Sequence, residues 1–175
     1  MVFCATRHHV EYLHLMLDLA EITNTFIFSQ LDSTARKINA AKFGTKRARV
    51  LLVTDLAARG IDIPLLDNVI NFNFPSKSKL FVHRVGRVAR AGREGNAYSL
   101  VAGDELAYFI DLQLFLGNSV QLTPQSSQPE DNWHNVLGST PQDIYDDYSD
   151  LIESWHEKSL DLFNMRKVRR GVCSA

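Results

Sequence analysis

An α/β fold built on a mostly parallel sheet follows from three features of this 175-residue sequence. Short apolar runs alternate with amphipathic stretches, the order expected when strands are joined by crossing helices. Runs such as Val50–Val53 are apolar at every position, which suits strands buried on both faces. Side chains able to hold anions and hydroxyls follow those runs, where sheets of this kind bind ligands.

Each element has its own warrant. Met1–Ala5 reads as a first buried strand, and His8–Ala20 sets Val10, Leu13, Leu17 and Ala20 at helical spacing. Thr25–Phe28 is a second strand. Asp32–Phe43 reads as a helix in which Asp32 or Ser33 caps the start and Ala35, Ile38 and Phe43 lie on or near one face. Val50–Val53, Asn68–Phe72 and Ala97–Val101 supply the third, fourth and fifth strands. Lys77–Arg90, between the last two, is expected to be helical at least in part, and Asp104–Leu116 to close the domain as a helix. Beyond it, Gln121–Asn132 is rich in Pro, Ser and Gln and reads as a linker. Ile144–Phe163 scatters apolar residues through an acidic background. A solvated amphipathic helix is favoured there over a segment docked on the domain. Arg166–Arg170 is a short basic cluster.

Bulk properties bound the function. Apolar residues make up 45% of the chain, enough for a core and too many for wholesale disorder. Residues 1–118 carry 14 Lys/Arg against 11 Asp/Glu, and residues 119–175 carry 5 against 9. The positive charge therefore sits in the part expected to fold, and the acidic excess in the tail. Cys4 and Cys173 give neither a disulfide framework nor zinc-ligand spacing, so a reducing compartment is expected. His8-His9 has no matching ligand set, and no metal site is expected. No apolar run is long enough to cross a membrane. Val2–Ala5 is too short for the apolar region of a signal peptide, and the chain is expected to begin within a strand, truncated at its N-terminus.

Two blocks carry the chemistry. After the third strand stands Thr54-Asp55-Leu56-Ala57-Ala58-Arg59-Gly60-Ile61-Asp62. It offers a hydroxyl, a cation, a close-approach backbone site and carboxylates, parts that suit a phosphate backbone on one side and a ribose on the other. The competing reading is a loop whose Asp and Arg pair with each other. Further on, His83–Arg93 holds Arg84, Arg87, Arg90 and Arg93 with Gly and Ala between them. Arg84, Arg87 and Arg90 recur every third residue and would share roughly one face of a helical turn. Arginine in preference to lysine suits bidentate contact with phosphate oxygens. The bland alternative is a charged surface helix.

Together these blocks resemble motifs V (Thr54–Asp62) and VI (His83–Gly92) of the DEAD-box RNA helicases. Val2–Thr6 is similar to their motif IV, and Val69–Pro75 to the strand before motif VI. The resemblance covers residues 1–118 and implies a RecA-like three-layer αβα sandwich, the C-terminal lobe of a two-lobed helicase. Residues 119–175 would be a C-terminal extension, acidic and then basic. The family implies that Asp62 binds the ATP ribose with the Gly60 backbone close by. It implies that Arg87 and Arg90 reach the γ-phosphate, that His83 couples the lobes, and that Thr6, Arg36 and Thr54 contact the RNA backbone. ATP and Mg²⁺ would be held mainly by an N-terminal RecA-like lobe. No phosphate loop and no Asp-Glu-Ala-Asp occur in this sequence, so the chain alone is expected not to hydrolyse ATP.

The sequence departs from the family pattern in three places. Phe28-Ser29 stands where the family has His-Gly, Ser33 where it has Gln, and Val88-Ala89 where it has Thr-Gly. The Val-Ala variant, with Asp32–Asn39 and Ile110–Gly117, resembles the nucleolar DEAD-box helicase 54 group. That implies nuclear localisation, pre-ribosomal particles as partners and a part in ribosome biogenesis. The alternatives are a truncated, non-catalytic RNA-binding module and a DNA-directed helicase of the wider superfamily.

Overall fold

The computed structural model describes residues 1–61, 66–88, 94–122 and 135–165. Strand β1 (Val2–Cys4) is wholly buried and leads into helix α1 (Arg7–Leu19). Thr6 caps α1, its hydroxyl accepting from the His9 amide at 3.4 Å. Strand β2 (Asn24–Ile27) is followed by α2 (Ser33–Gly44). The Asp32 carboxylate caps α2 by accepting from the Thr34 and Ala35 amides, each at 2.8 Å. Then come β3 (Val50–Thr54), the single turn α3 (Asp55–Ala58), β4 (Asn68–Asn71), α4 (Ser78–Val85), β5 (Asn96–Ser99) and α5 (Leu106–Leu116).

The five strands form one all-parallel sheet in the order β2-β3-β1-β4-β5. Side chains alternate across it, so β1 feeds both layers. Phe3 joins Ile27, Leu51, Val53 and Val69 on one face, where Ala40 and Phe43 of α2 pack. Val2 and Cys4 join Leu52 on the other, beneath Val10, Leu13 and Leu17 of α1. This is the helix–sheet–helix layering of the RecA-like fold. Ile38 does not share the buried face of α2 and is 51% exposed. Burial on both faces holds for β1 and β3 but not at the sheet's margin. In β4 only Val69 and Asn71 are buried, and β5 is an exposed edge strand that stops at Ser99.

The chain divides into two compact units, Met1–Leu112 and Gln113–Ala175. The second unit contains the short parallel pair β6 (Gln121–Leu122) and β7 (Val136–Leu137) and the helix α6 (Gln142–Lys158). Most of the expected linker and the whole Arg166–Arg170 cluster lie outside the described residues. No helix among the described residues is long and apolar enough to cross a membrane.

Candidate nucleotide and RNA site

In a parallel sheet the carboxyl ends of all strands meet at one edge, and there the loops after β1, β3 and β4 are tied together. Cys4 lies in register with Thr54, and Phe3 with both Val53 and Asn71. Thr54 ends β3, and α3 turns immediately after it with Ala57 and Ala58 each 1% exposed. Arg36, on α2, donates from Nη2 to the Ala57 carbonyl at 3.0 Å. The Ala5 amide donates to Asn73 Oδ1 at 2.9 Å. Thr6, Arg36 and Thr54 are therefore brought to one rim by three adjacent strands. Gly60 follows with φ +70°, a backbone that side chains rarely adopt. Asp62 lies outside the described residues.

The arginine block does not form one cationic face. Helix α4 ends at Val85, and Gly86 closes it by donating to the Val82 carbonyl at 2.8 Å. A Cβ at Gly86 would stand 2.9 Å from that same oxygen, so only glycine fits this turn. Arg84 points inward and is 2% exposed. Its guanidinium donates from Nε and Nη2 to the two Asp55 carboxylate oxygens, each at 2.7 Å. Nη1 donates to Asn71 Oδ1 at 3.0 Å and to the Asn73 carbonyl at 2.9 Å, and the group lies 5.1 Å over the Phe3 ring. Asn71 in turn donates to the Ser99 hydroxyl at 3.0 Å. The competing reading of a pair within the loop does not hold for Asp55, which takes its arginine from the second block and not Arg59.

His83 remains exposed and Arg87 half-buried, with Arg87 Nη2 3.4 Å from His83 Nε2. Arg90 lies outside the described residues. Burial pushes the Cys4 thiol up to about 12, with Asp55 adding to the shift and Arg84 opposing it. Cys4 is thus a neutral core residue. Among the described residues no three His, Cys, Asp or Glu side chains gather as a metal site would require.

Asp55, Asn71, Asn73 and Ser99 were not singled out from the sequence. The available signal was polar residues in a run otherwise apolar: Asn71 at an inward-facing strand position calls for a buried partner. Two departures from the family pattern have a packing role. Val88 is 7% exposed and joins the core through a bridge to Leu66. Phe28 is buried, stacked 5.6 Å from Phe26, with Arg7 lying 5.1 Å over its ring.

The helicase conserved C-terminal domain model matches residues 1–92. The chain belongs to that family. This helicase C-terminal domain is 53% identical over 176 residues to the ATP-dependent RNA helicase DDX54 of Mus musculus, covering 98% of the chain and 20% of the relative. It is 46% identical over 168 residues to the ATP-dependent RNA helicase dbp10 of Emericella nidulans, covering 96% of the chain and 18% of the relative. The chain thus spans about a fifth of the length of these relatives. Among solved structures, the E. coli DEAD-box protein SrmB, bound to regulator of ribonuclease activity A, superposes with a TM-score of 0.63. It is 36% identical, over 65% of this chain and 67% of that one. The C-terminal domain of the DEAD-box protein Dbp5 shares the fold, with a TM-score of 0.66 at 24% identity over 87% of this chain and 80% of that one.

Proposed function

We propose that this helicase domain is the C-terminal lobe of an ATP-dependent RNA helicase, acting when an N-terminal lobe closes against it. The observation that carries the reading is the Arg84 cross-link, which fixes the end of α4 to the end of β3. With Arg84 committed inward, His83 and Arg87 are left at the rim for a ligand. Arg87, with Arg90, stabilises charge on the γ-phosphate of ATP. Gly60 and Asp62 receive the ribose, and His83 couples the lobes. Thr6, Arg36 and Thr54 bind the sugar-phosphate backbone of RNA without reading its sequence, and recognise it by shape and 2′-hydroxyls. The N-terminal lobe holds ATP and Mg²⁺; this lobe orients its cations and keeps the RNA strand bent so that it separates from its partner.

Residues 1–118 form the working lobe in this reading, and residues 119–175 an extension of it. The relatives named DDX54 and dbp10, with the Val88-Ala89 wording, support a nucleolar helicase that remodels pre-ribosomal RNA. RNA-stimulated ATP hydrolysis tests the proposal, measured for this chain alone and fused to the N-terminal lobe of mouse DDX54. The chain alone is expected to be silent and the fusion active. Arg87→Ala in the fusion is expected to cost about 10³-fold or more in rate, the range of arginine fingers. A silent fusion that still binds RNA would replace this reading with a non-catalytic RNA-binding module.

A further inference from the structure

Helix α6 uses only part of its apolar surface. His156 is 6% exposed and Ile152 half-buried, so one flank of the helix is already packed. Ile144, Tyr148 and Leu151 recur at i, i+4 and i+7 and form a second apolar line beside that flank. They are 46%, 57% and 41% exposed. We propose that this line is a docking surface for a basic amphipathic helix of a partner protein.

Charge selects the occupant. Residues 142–165 carry seven carboxylates and a single lysine, Lys158. At 100° per residue, Asp143, Asp147 and Asp150 fall on the arc beside the apolar line, and all three are exposed. A nucleic-acid backbone is repelled by such a surface. A helix with leucines on one side and lysines or arginines at its margin meets both features at once: its apolar ridge packs on the line, and its cations reach the acidic arc. The segment after the helicase domain would thereby recruit a protein through a basic helix, on a face that RNA itself avoids.

The test uses the Met1–Ala175 chain and a fluorescent leucine–lysine amphipathic peptide, followed by anisotropy. Its leucine–glutamate counterpart and a scrambled leucine–lysine peptide serve as comparisons. Of the three peptides only the leucine–lysine helix is expected to bind, with loss on added salt. Tyr148→Ala/Leu151→Ala keeps good helix formers in α6 and is expected to weaken binding about tenfold, the effect of losing central apolar anchors. Asp147→Lys/Asp150→Lys is expected to weaken it similarly, while Leu19→Ala, an exposed apolar residue on α1, leaves it unchanged. Circular dichroism checks that each variant retains its helix. Equal affinity of the stripe variant, equal affinity of the Asp147→Lys/Asp150→Lys variant, or equal binding of the scrambled peptide would each overturn the proposal.

Discussion

Removing the Asp55 carboxylate should be among the most damaging single changes available in this domain. Arg84 is 2% exposed and spends Nε and Nη2 on Asp55, each at 2.7 Å. In Asp55→Ala two charged donors lose their acceptors, and the guanidinium stays enclosed by Phe3, Asn71 and Asn73 with no counter-charge. Breaking one side of such a pair costs about 3–5 kcal/mol, against a total of about 5–15 kcal/mol for a domain of ordinary stability. Asp55→Asn keeps the shape and one acceptor and should cost less, about 1–3 kcal/mol. The double variant Asp55→Ala/Arg84→Met removes the stranded charge and should recover part of the loss. Urea unfolding followed by circular dichroism at neutral pH reads the parent, these three variants and Arg84→Met, which completes the cycle. The burial also predicts insensitivity to salt, unlike the exposed Arg7–Glu11 pair at 2.6 Å. An Asp55→Ala variant within about 1 kcal/mol of the parent, below the range for broken buried pairs, would refute the argument. So would strict additivity in the double variant.

Other residues give sharper local tests. Asp32→Ala removes the acceptor of two amides at the start of α2 and should cost about 1 kcal/mol in urea unfolding. Glu105 accepts from the Phe74 and Ala102 amides, each at 3.0 Å; Glu105→Ala should cost about 1–3 kcal/mol. Gly60→Ala meets no neighbouring atom within 4 Å, so its cost should be backbone strain alone, about 1–2 kcal/mol in thermal unfolding.

What could be read from the sequence followed from how each signal arises. Strand β3 was legible because Leu51, Leu52 and Val53 are all fully buried, and that leaves no polar position to interrupt the run. The cap of α2 was legible because Asp32 acts on amides two and three residues away. The edge strand was overextended: Leu100 and Val101 continue the apolar text, but pairing with β4 ends with Asn71 opposite Ser99. The arginine block was misread in one respect, since a three-residue period marks a shared face only while the helix lasts, and α4 stops at Val85. Asp55, Asn71 and Ser99 could not be linked to Arg84 from spacing, because the partners stand 29, 13 and 28 residues apart along the hydrogen-bonded path.

Arg84 and Arg87 stand three residues apart and share a residue type for different reasons, and lysine substitution separates them. Arg84 spans Asp55, Asn71 and Asn73 with a planar fork of donors. A lysine ammonium is a point charge on a flexible stem and cannot satisfy three directions at those distances. Arg84→Lys should therefore lose about 2 kcal/mol of stability, the cost of unmade charged hydrogen bonds. Arg87 is half-buried and touches His83 across 3.4 Å. Arg87→Lys should stay within about 0.5 kcal/mol of the parent, yet lose turnover in the fused two-lobe helicase if, as proposed, Arg87 holds phosphate through a bidentate contact. Urea unfolding and ATP hydrolysis, run on both variants, give four readings. A stable but inactive Arg84→Lys would mean that Arg84 faces a ligand and not the core. An unstable Arg87→Lys would return Arg87 to a structural role and remove the basis for placing it against ATP.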